Sequence, residues 1–436
     1  MLFRFRAKRL AEQLAEQNTH QSYWSIVRAN FRKNRLAVWS LRILFFLLFV
    51  AVFADFIAND KPLICKIEGK WQMPIFKQYA IDVGLDGYTS DFRTRRWLDF
   101  EQYDFYIHPL ISYSSSYQDR KNRKLVSPFA EQKVDSWRYR HWLGTDKLGR
   151  DVAAGLVAGT RIAMLVGLIS MSVAAFLGIL LGGLAGYFGD DRLSTNWIQV
   201  IFTILGVVFA IFYAFIARSY QISEAGDHLL AEILKSVGIF ALVSSLFWSA
   251  GWLLSRLPFL QESIRLPMDI LVMRLIEIFN SIPALLLILA VVAIIRKPSI
   301  FYIMFIIGLI AWTGIARFVR AELLRVRQLE FIEAARAMGF REGRTLIRHA
   351  LPNALTPVLI NIAFGIAGAI LVEAALSFLG IGVSSETVSW GSMLQAARRN
   401  ISAWWLAVFP GVAIFVTVAI FNLIGEGLTE ALSAKN

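Results

Sequence analysis

The chain has 436 residues and carries 45 Lys+Arg against 32 Asp+Glu, a formal charge of +13; 56% of it is apolar, with 33 Phe and 13 Trp. Soluble domains are about 45–50% apolar, so a water-soluble globule would struggle to hide this much apolar surface, and intrinsic disorder is excluded because it needs low hydrophobicity. Apolar and basic excess together indicate a polytopic membrane protein with basic cytoplasmic loops. Nucleic-acid binding would need a soluble basic face and fits the hydropathy badly. Cys65 is the single cysteine, which excludes an intramolecular disulfide and a cysteine metal cluster, and the five His show no HExxH-type spacing.

In chain order, residues 1–35 read as a basic tail and Leu36–Ile57 as the first transmembrane helix (36–57). The leader of about 35 residues is too long for a signal-peptide n-region, and the apolar run exceeds the usual ~7–15, so this helix is expected to be retained. Residues 58–160 are polar, rich in Trp and Tyr and punctuated by Pro62, Pro74, Pro109 and Pro128; they read as an extracytoplasmic loop region with no nucleophile elbow or metal-ligand spacing. The second helix (161–190) is apolar over Ile162–Tyr187 and carries Gly178, Gly182 and Gly186, a small-xxx-small ladder for close packing within this chain or against another. Further apolar stretches cover Trp197–Ala217, Ser236–Leu254, Leu275–Ile295, Ile300–Ala316, Leu355–Phe378 and Trp404–Leu423, which makes eight spans of roughly 17–26 residues. Arg296-Lys297-Pro298-Ser299 reads as a tight turn between the fifth and sixth. The fifth contains Glu277 and Asn280, with Arg274 three residues before Glu277 and able to pair with it. Glu373 lies well inside the seventh span, either facing the bundle or a water-filled path, or capping a helix bend near the outer surface.

Charge sets the expected topology. Residues 1–42 hold nine Lys/Arg and two Glu, which places the N-terminus in the cytoplasm, and eight spans return the C-terminus there. Arg317–Arg348, with eight Arg and four Glu, then falls inside, and Arg218–Lys235, with two basic and three acidic residues, falls outside. The 59–160 loop has 16 Lys/Arg and 13 acids and goes outside, since long loops translocate largely regardless of charge.

The stretch after the sixth span is the most informative. Good helix formers fill Glu322–Met338, and Phe331, Ala334, Ala335 and Met338 recur at helical spacing as one small apolar face. Glu333 and Arg336 can pair, Gly339 permits a left-handed C-cap, Arg341–Ala350 resumes the helix, and Pro352 resets the chain before the next span. A small-residue face suits a protein groove better than lipid headgroups, the competing reading.

Glu333-Ala334-Ala335, three residues, Gly339, then nine residues to His349-Ala-Leu351-Pro352 resembles the EAA loop of bacterial ABC importer permeases. The family pattern usually has an aliphatic residue where His349 stands, and His-x-Leu-Pro-Asn matches its peptide and nickel branch. His141-Trp-Leu-Gly-Thr-Asp146-Lys-Leu-Gly149-Arg150-Asp151-Val resembles the stretch before the second core helix in "C"-type oligopeptide permeases. Met273–Pro283, Leu376–Gly382, Ser389–Leu394 and Asn422–Leu428 fit too. Ala58-Asn-Asp-Lys-Pro-Leu63, with Gly69, Trp71, Pro74, Lys77 and Tyr79, resembles the Yej (microcin C/oligopeptide) subgroup.

The resemblance implies an all-α polytopic membrane protein: a MetI-like type I permease core of six helices, with two extra transmembrane helices in an insertion, 191–266, expected to face lipid. The core continues over 267–436 with the coupling loop at 317–354. It implies a binding-protein-dependent permease for peptides or peptide-like solutes in the bacterial inner membrane. The implied partners are a second, "B"-type permease, two ATPase subunits, an extracytoplasmic solute-binding protein and membrane lipid, with no nucleic acid. ATP and Mg would be used by the ATPases, this chain binding no cofactor or metal and catalysing nothing. Its only Gly-Lys pair, Gly69-Lys70, is followed by Trp71, so it has no phosphate-binding loop of its own. Glu333, Ala334, Ala335, Gly339, Leu351 and Pro352 are the implied ATPase-coupling residues, and Glu373, Glu277 and Asn280 are candidates for the translocation path. An ion-coupled secondary transporter would need midplane ionisable groups and internal repeats, for which only Glu373 is a candidate. An enzyme housed in the 59–160 loop would have His108, His141 and carboxylates but no recognisable constellation.

Overall fold

A computed structural model describes residues 23–433 apart from 83, 88, 90, 91, 93, 225–228, 295–298 and 382–386. Most of the N-terminal tail, most of the expected turn at 296–299 and Gly382 therefore lie outside the described residues. Twelve main helices organise the rest. They are α1 Tyr23–Lys33, α2 Arg35–Val52, α3 Val152–Gly183, α4 Trp197–Ile211, α5 Leu229–Leu254, α6 Met268–Ser281, α7 Ala284–Ile294, α8 Ile300–Val326, α9 Glu330–Ala337, α10 Leu351–Leu379, α11 Trp390–Arg398 and α12 Trp405–Ser433.

Among the described residues, seven helices are long and apolar enough to cross a membrane, each where a span is expected. The exception is the fifth, Leu275–Ile295. It is a broken pair, α6 and α7, bent by 78°. Pro283 explains the break: the residue before proline is pushed out of the helical region, and Ile282 is extended at φ −102°, ψ 128°. The expected start of the second core helix near residue 161 is also corrected. α3 begins at Val152, where Asp151 caps it by accepting from the Ala154 N–H at 2.7 Å. Its first turns are small residues ending at Arg161, outside the apolar window, so hydropathy did not register them. α12 likewise runs on to Ser433, beyond the expected Leu423.

α3 is the central element. Its most extensive contact is with α8, followed by α10, and α12 packs outside α10 and against α2 and α1. The glycine ladder belongs to the α3–α8 seam. A Cβ at Gly178 would lie 2.7 Å from the Ile315 Cβ, one at Gly182 2.4 Å from the Ala316 carbonyl oxygen, and one at Gly186 2.6 Å from that of Arg320. The ladder thus packs within this chain. Met164, Met171, Trp312, Ile315, Val319 and Leu323 fill the core around it.

The 58–160 region is a folded unit. β1 (Ile64–Ile67) lies between β2 (Lys70–Gln72) and β3 (Phe105–Ile107), antiparallel to both, with Cys65 opposite Gln72 and Tyr106. The inserted segment is a hairpin of α4 and α5, which pack on each other through Gly206 and Gly251 against Phe247 and Phe202. No core helix packs extensively on it among the described residues. Its stem is a two-stranded ribbon of β4 (Ser194–Asn196) and β5 (Ser263–Arg265), closed by Leu266 N–H to Leu193 O at 2.8 Å. Ile204, Val208, Leu242, Leu246 and Trp252 are exposed on it.

Candidate functional site

The 317–354 loop is built from three short pieces of sequence with different tasks. α8 ends at Val326, buried with Leu323. The expected continuous helix Glu322–Met338 is broken here, because Leu329 turns extended (φ −79°, ψ 144°) and restarts the chain as α9. Propensity along the strip could not show this. What reorients the chain is Ile332, fully buried, which seats α9 on the core beside Val326 and Leu323. Glu330 and Glu333 occupy the first turn of α9, where carboxylates complement the helix dipole.

α9 ends in a complete Schellman turn. Gly339 sits at φ +79°, its N–H bonds to Arg336 O at 2.8 Å, and the Phe340 N–H reaches Ala335 O at 3.2 Å. A Cβ on Gly339 would meet nothing within 4 Å, so only the backbone conformation asks for glycine within this chain. Beyond it, Arg341 starts a helix that passes through a wide turn at Leu346–Ala350 into α10, a continuous 38-residue run over Glu342–Leu379. Pro352 therefore does not reset the chain: it stands in the first turn of α10, where its missing N–H costs little and the wide turn before it makes room for the ring.

The expected face is partly redrawn. Glu333, Ala334, Met338 and Gly339 are exposed with Phe331 and Phe340, but Ala335 is turned inward at 4% exposure. Leu351 is half-buried against the core and Pro352 is exposed. Arg336 does not pair with Glu333. Its Nε lies 3.3 Å from Glu342 Oε1, and its guanidinium carbon sits 5.5 Å from the Tyr187 ring centre. Tyr187, fully buried at the C-terminal end of the long helix that α3 begins, donates to Glu342 Oε2 at 2.5 Å. Neither Tyr187 nor Glu342 was legible as a site residue, since they lie far apart in sequence and share no helical spacing with Arg336. What emerges is an exposed face of Phe331, Ala334, Met338 and Phe340, backed by the Arg336–Glu342–Tyr187 contacts.

The path candidates are dispersed. Glu277 is exposed and pairs with Arg274 at 2.6 Å, as its spacing suggested; Asn280 accepts from Thr313 Oγ1 at 3.2 Å on the bent pair. Glu373 is 2% exposed inside the bundle and accepts from Ser377 Oγ at 2.7 Å.

Elsewhere in the fold, the 141–151 segment anchors the unit that holds β1–β3 to the core. His141 is fully buried, with Nδ1 2.7 Å from Asp151 Oδ2 and Nε2 3.2 Å from Asp119 Oδ2, and Tyr113 stacks on its ring at 4.3 Å. Burial disfavours its charge, but hydrogen bonds to Asp119 and Asp151 outweigh that and raise its pKa to about 9. Burial would lift Asp119, yet the bonds from His141, Asn122 and the Lys121 N–H hold it down at about 2. Trp405 donates to Thr145 O at 3.1 Å and ties the same segment to α12. His108, buried among Phe100 and Tyr106, has its pKa lowered to about 4 by burial and by Arg138, so it is neutral.

A bundle of helices long and apolar enough to span a membrane, with one exposed basic loop, is the architecture of a membrane transport subunit, and comparison with known proteins gives its family. Residues 257–436 match the family model "Binding-protein-dependent transport system inner membrane component", and residues 22–67 match the "N-terminal TM domain of oligopeptide transport permease C". The dipeptide transport system permease protein DppC of Alkalihalophilus pseudofirmus is 30% identical over 328 residues, covering 75% of this chain and 80% of that protein. The inner membrane ABC transporter permease protein YejE of Escherichia coli is 27% identical over 418 residues (94% and 96%). The peptidoglycan transport system permease protein YejE of Agrobacterium fabrum is 26% identical over 427 residues (93% and 91%). The chain belongs to the binding-protein-dependent inner-membrane permease family, as a multi-pass permease subunit of an ABC importer of the "C"-type, Yej-like branch.

Proposed function

We propose that this subunit forms half of a translocation pathway for peptides or peptide-like solutes and takes its energy from separate ATPases through residues 317–354. The observation that carries this reading is α9: seated by Ile332, closed by the Gly339 turn, and exposing Phe331, Glu333, Ala334 and Met338 where a partner groove can receive them. The relatives' names supply the substrate class, since they are permeases for dipeptides, oligopeptides, glutathione and peptidoglycan. The assembly would pair this chain with a second, "B"-type permease, two ATPase subunits that bind ATP and Mg, and an extracytoplasmic solute-binding protein. The termini would lie in the cytoplasm, as the nine basic residues of 1–42 favour. Solute would enter from the binding protein, and closure of the ATPases on the two coupling loops would switch the cavity from one side to the other. Glu277, Asn280 and Glu373 are the residues of this chain assigned to that path.

Gly339→Asp tests the docking. Asp tolerates the left-handed region better than most residues, and a Cβ at this position meets nothing within 4 Å, so the variant should reach the membrane in normal amounts. The expected outcome is loss of ATPase co-purification and of uptake; normal co-purification would overturn the reading. Uptake of a panel of di-, tri- and oligopeptides in a deletion strain identifies the substrate.

A further inference from the structure

The coupling helix α9 is joined covalently to α8 by Arg327–Leu329 and to the Glu342–Leu379 helix by Met338–Arg341, but not to the central helix. The long central helix meets it only in space, at its C-terminal end. There Leu184–Phe188 forms a wide turn, and Gly189 at φ +63° ends the helix. Tyr187 projects from that turn into the core and is fully buried. Its hydroxyl donates to Glu342 at the first turn of the next long helix, at 2.5 Å, and Glu342 also meets Arg336 of α9, at 3.3 Å. Three elements thus converge on one carboxylate.

Two details give this junction the character of a mechanical joint. Both long helices carry a wide π-type turn beside it, Leu184–Phe188 and Leu346–Ala350, where the usual i→i−4 ladder is interrupted and the helix can change pitch. The junction itself is stiff, because a hydrogen bond to an ionised group is shorter and roughly twice as strong as one between neutral partners. On the Arg336 side the contact is the 3.3 Å approach of Nε to Glu342 Oε1, while the buried Nη2 has no hydrogen-bond partner among the described residues.

We propose that Tyr187, Arg336 and Glu342 are positioning residues that transmit motion between the coupling helix and the two long helices behind it, the central one and Glu342–Leu379. The proposal rests on the coupling reading of α9. It assigns to Tyr187 no contact with ATPase or solute; it acts through Glu342.

The test uses the complete importer in proteoliposomes, with ATP hydrolysis measured without and with its solute-binding protein. Tyr187→Phe removes one hydroxyl and leaves the packed ring. Co-purification of the ATPases and basal hydrolysis should be unchanged, while stimulation by the binding protein should fall about tenfold, the size expected for one hydrogen bond to a charged group. The charge reversals Arg336→Glu and Glu342→Arg should each lose stimulation, and the double reversal should recover a good part of it, which simple loss of packing would not do. Full stimulation in Tyr187→Phe, or a double reversal no better than the singles, would overturn the joint. If instead Gly339→Asp keeps the ATPases bound, it is the coupling reading that fails.

Discussion

His141 shows how one side chain sets a pH range. Its pKa of about 9 lies above the ordinary 6.5, so its contribution to stability is complete below about pH 6.5 and is lost as pH rises through about 9. Asp119, lowered to about 2 from 3.8, contributes above about pH 3.8 and loses its part as pH falls through about 2. The unit built around His141 should therefore be most resistant to proteolysis between about pH 4 and 6.5 and loosen towards pH 9. Removing the imidazolium with His141→Ala leaves Asp119 and Asp151 facing each other without a counter-charge, a loss of about 3–5 kcal/mol for a buried pair. Thermal unfolding of the purified protein, and cleavage of intact vesicles by a protease added outside, would measure it. At this scale the sequence was legible in part. The Gly339 turn was readable because turn geometry is local. The inward turn of Ala335 and the Arg336–Glu342 pair were not, because they depend on where Ile332 and Tyr187 anchor the helix.

Among the elements, the α3–α8 seam is the contact that substitution can probe most sharply. Gly182 and Gly183 are neighbours on one helix, but a Cβ at Gly182 would meet the Ala316 backbone at 2.4 Å while one at Gly183 meets nothing within 4 Å. Gly182→Ala should cost about 1–3 kcal/mol, because backbone cannot yield as a side chain can, and Gly183→Ala should be neutral. Melting midpoints of the two variants in the same detergent decide this, and equal midpoints would contradict the packing. Helix existence was readable from apolar length alone. The fifth span shows the limit: the window averaged across Ile282-Pro283, although the proline was the visible signal for the 78° bend.

For the molecule as a whole, the inserted hairpin is the largest departure from a six-helix core. Two inserted spans preserve parity, and the β4–β5 ribbon brings the insertion's ends together, with Leu193 O bonded to Leu266 N–H. Replacing Ser194–Arg265 by a two-residue turn should leave a protein that inserts in the membrane and retains the ATPases. Loss of both on deletion, measured by fractionation and co-purification, would mean the hairpin is part of the core. What the sequence determined by itself is the number and order of apolar segments and the motif that carries the family resemblance. Each of these depends on local composition or on spacing within a few turns. Which faces of those helices meet was decided only in three dimensions: Gly182 against Ala316, His141 between two carboxylates, and Tyr187 on Glu342. The residues in each contact lie from about ten to more than a hundred positions apart along the chain, and burial and hydrogen bonding between such residues leave no periodic trace in it.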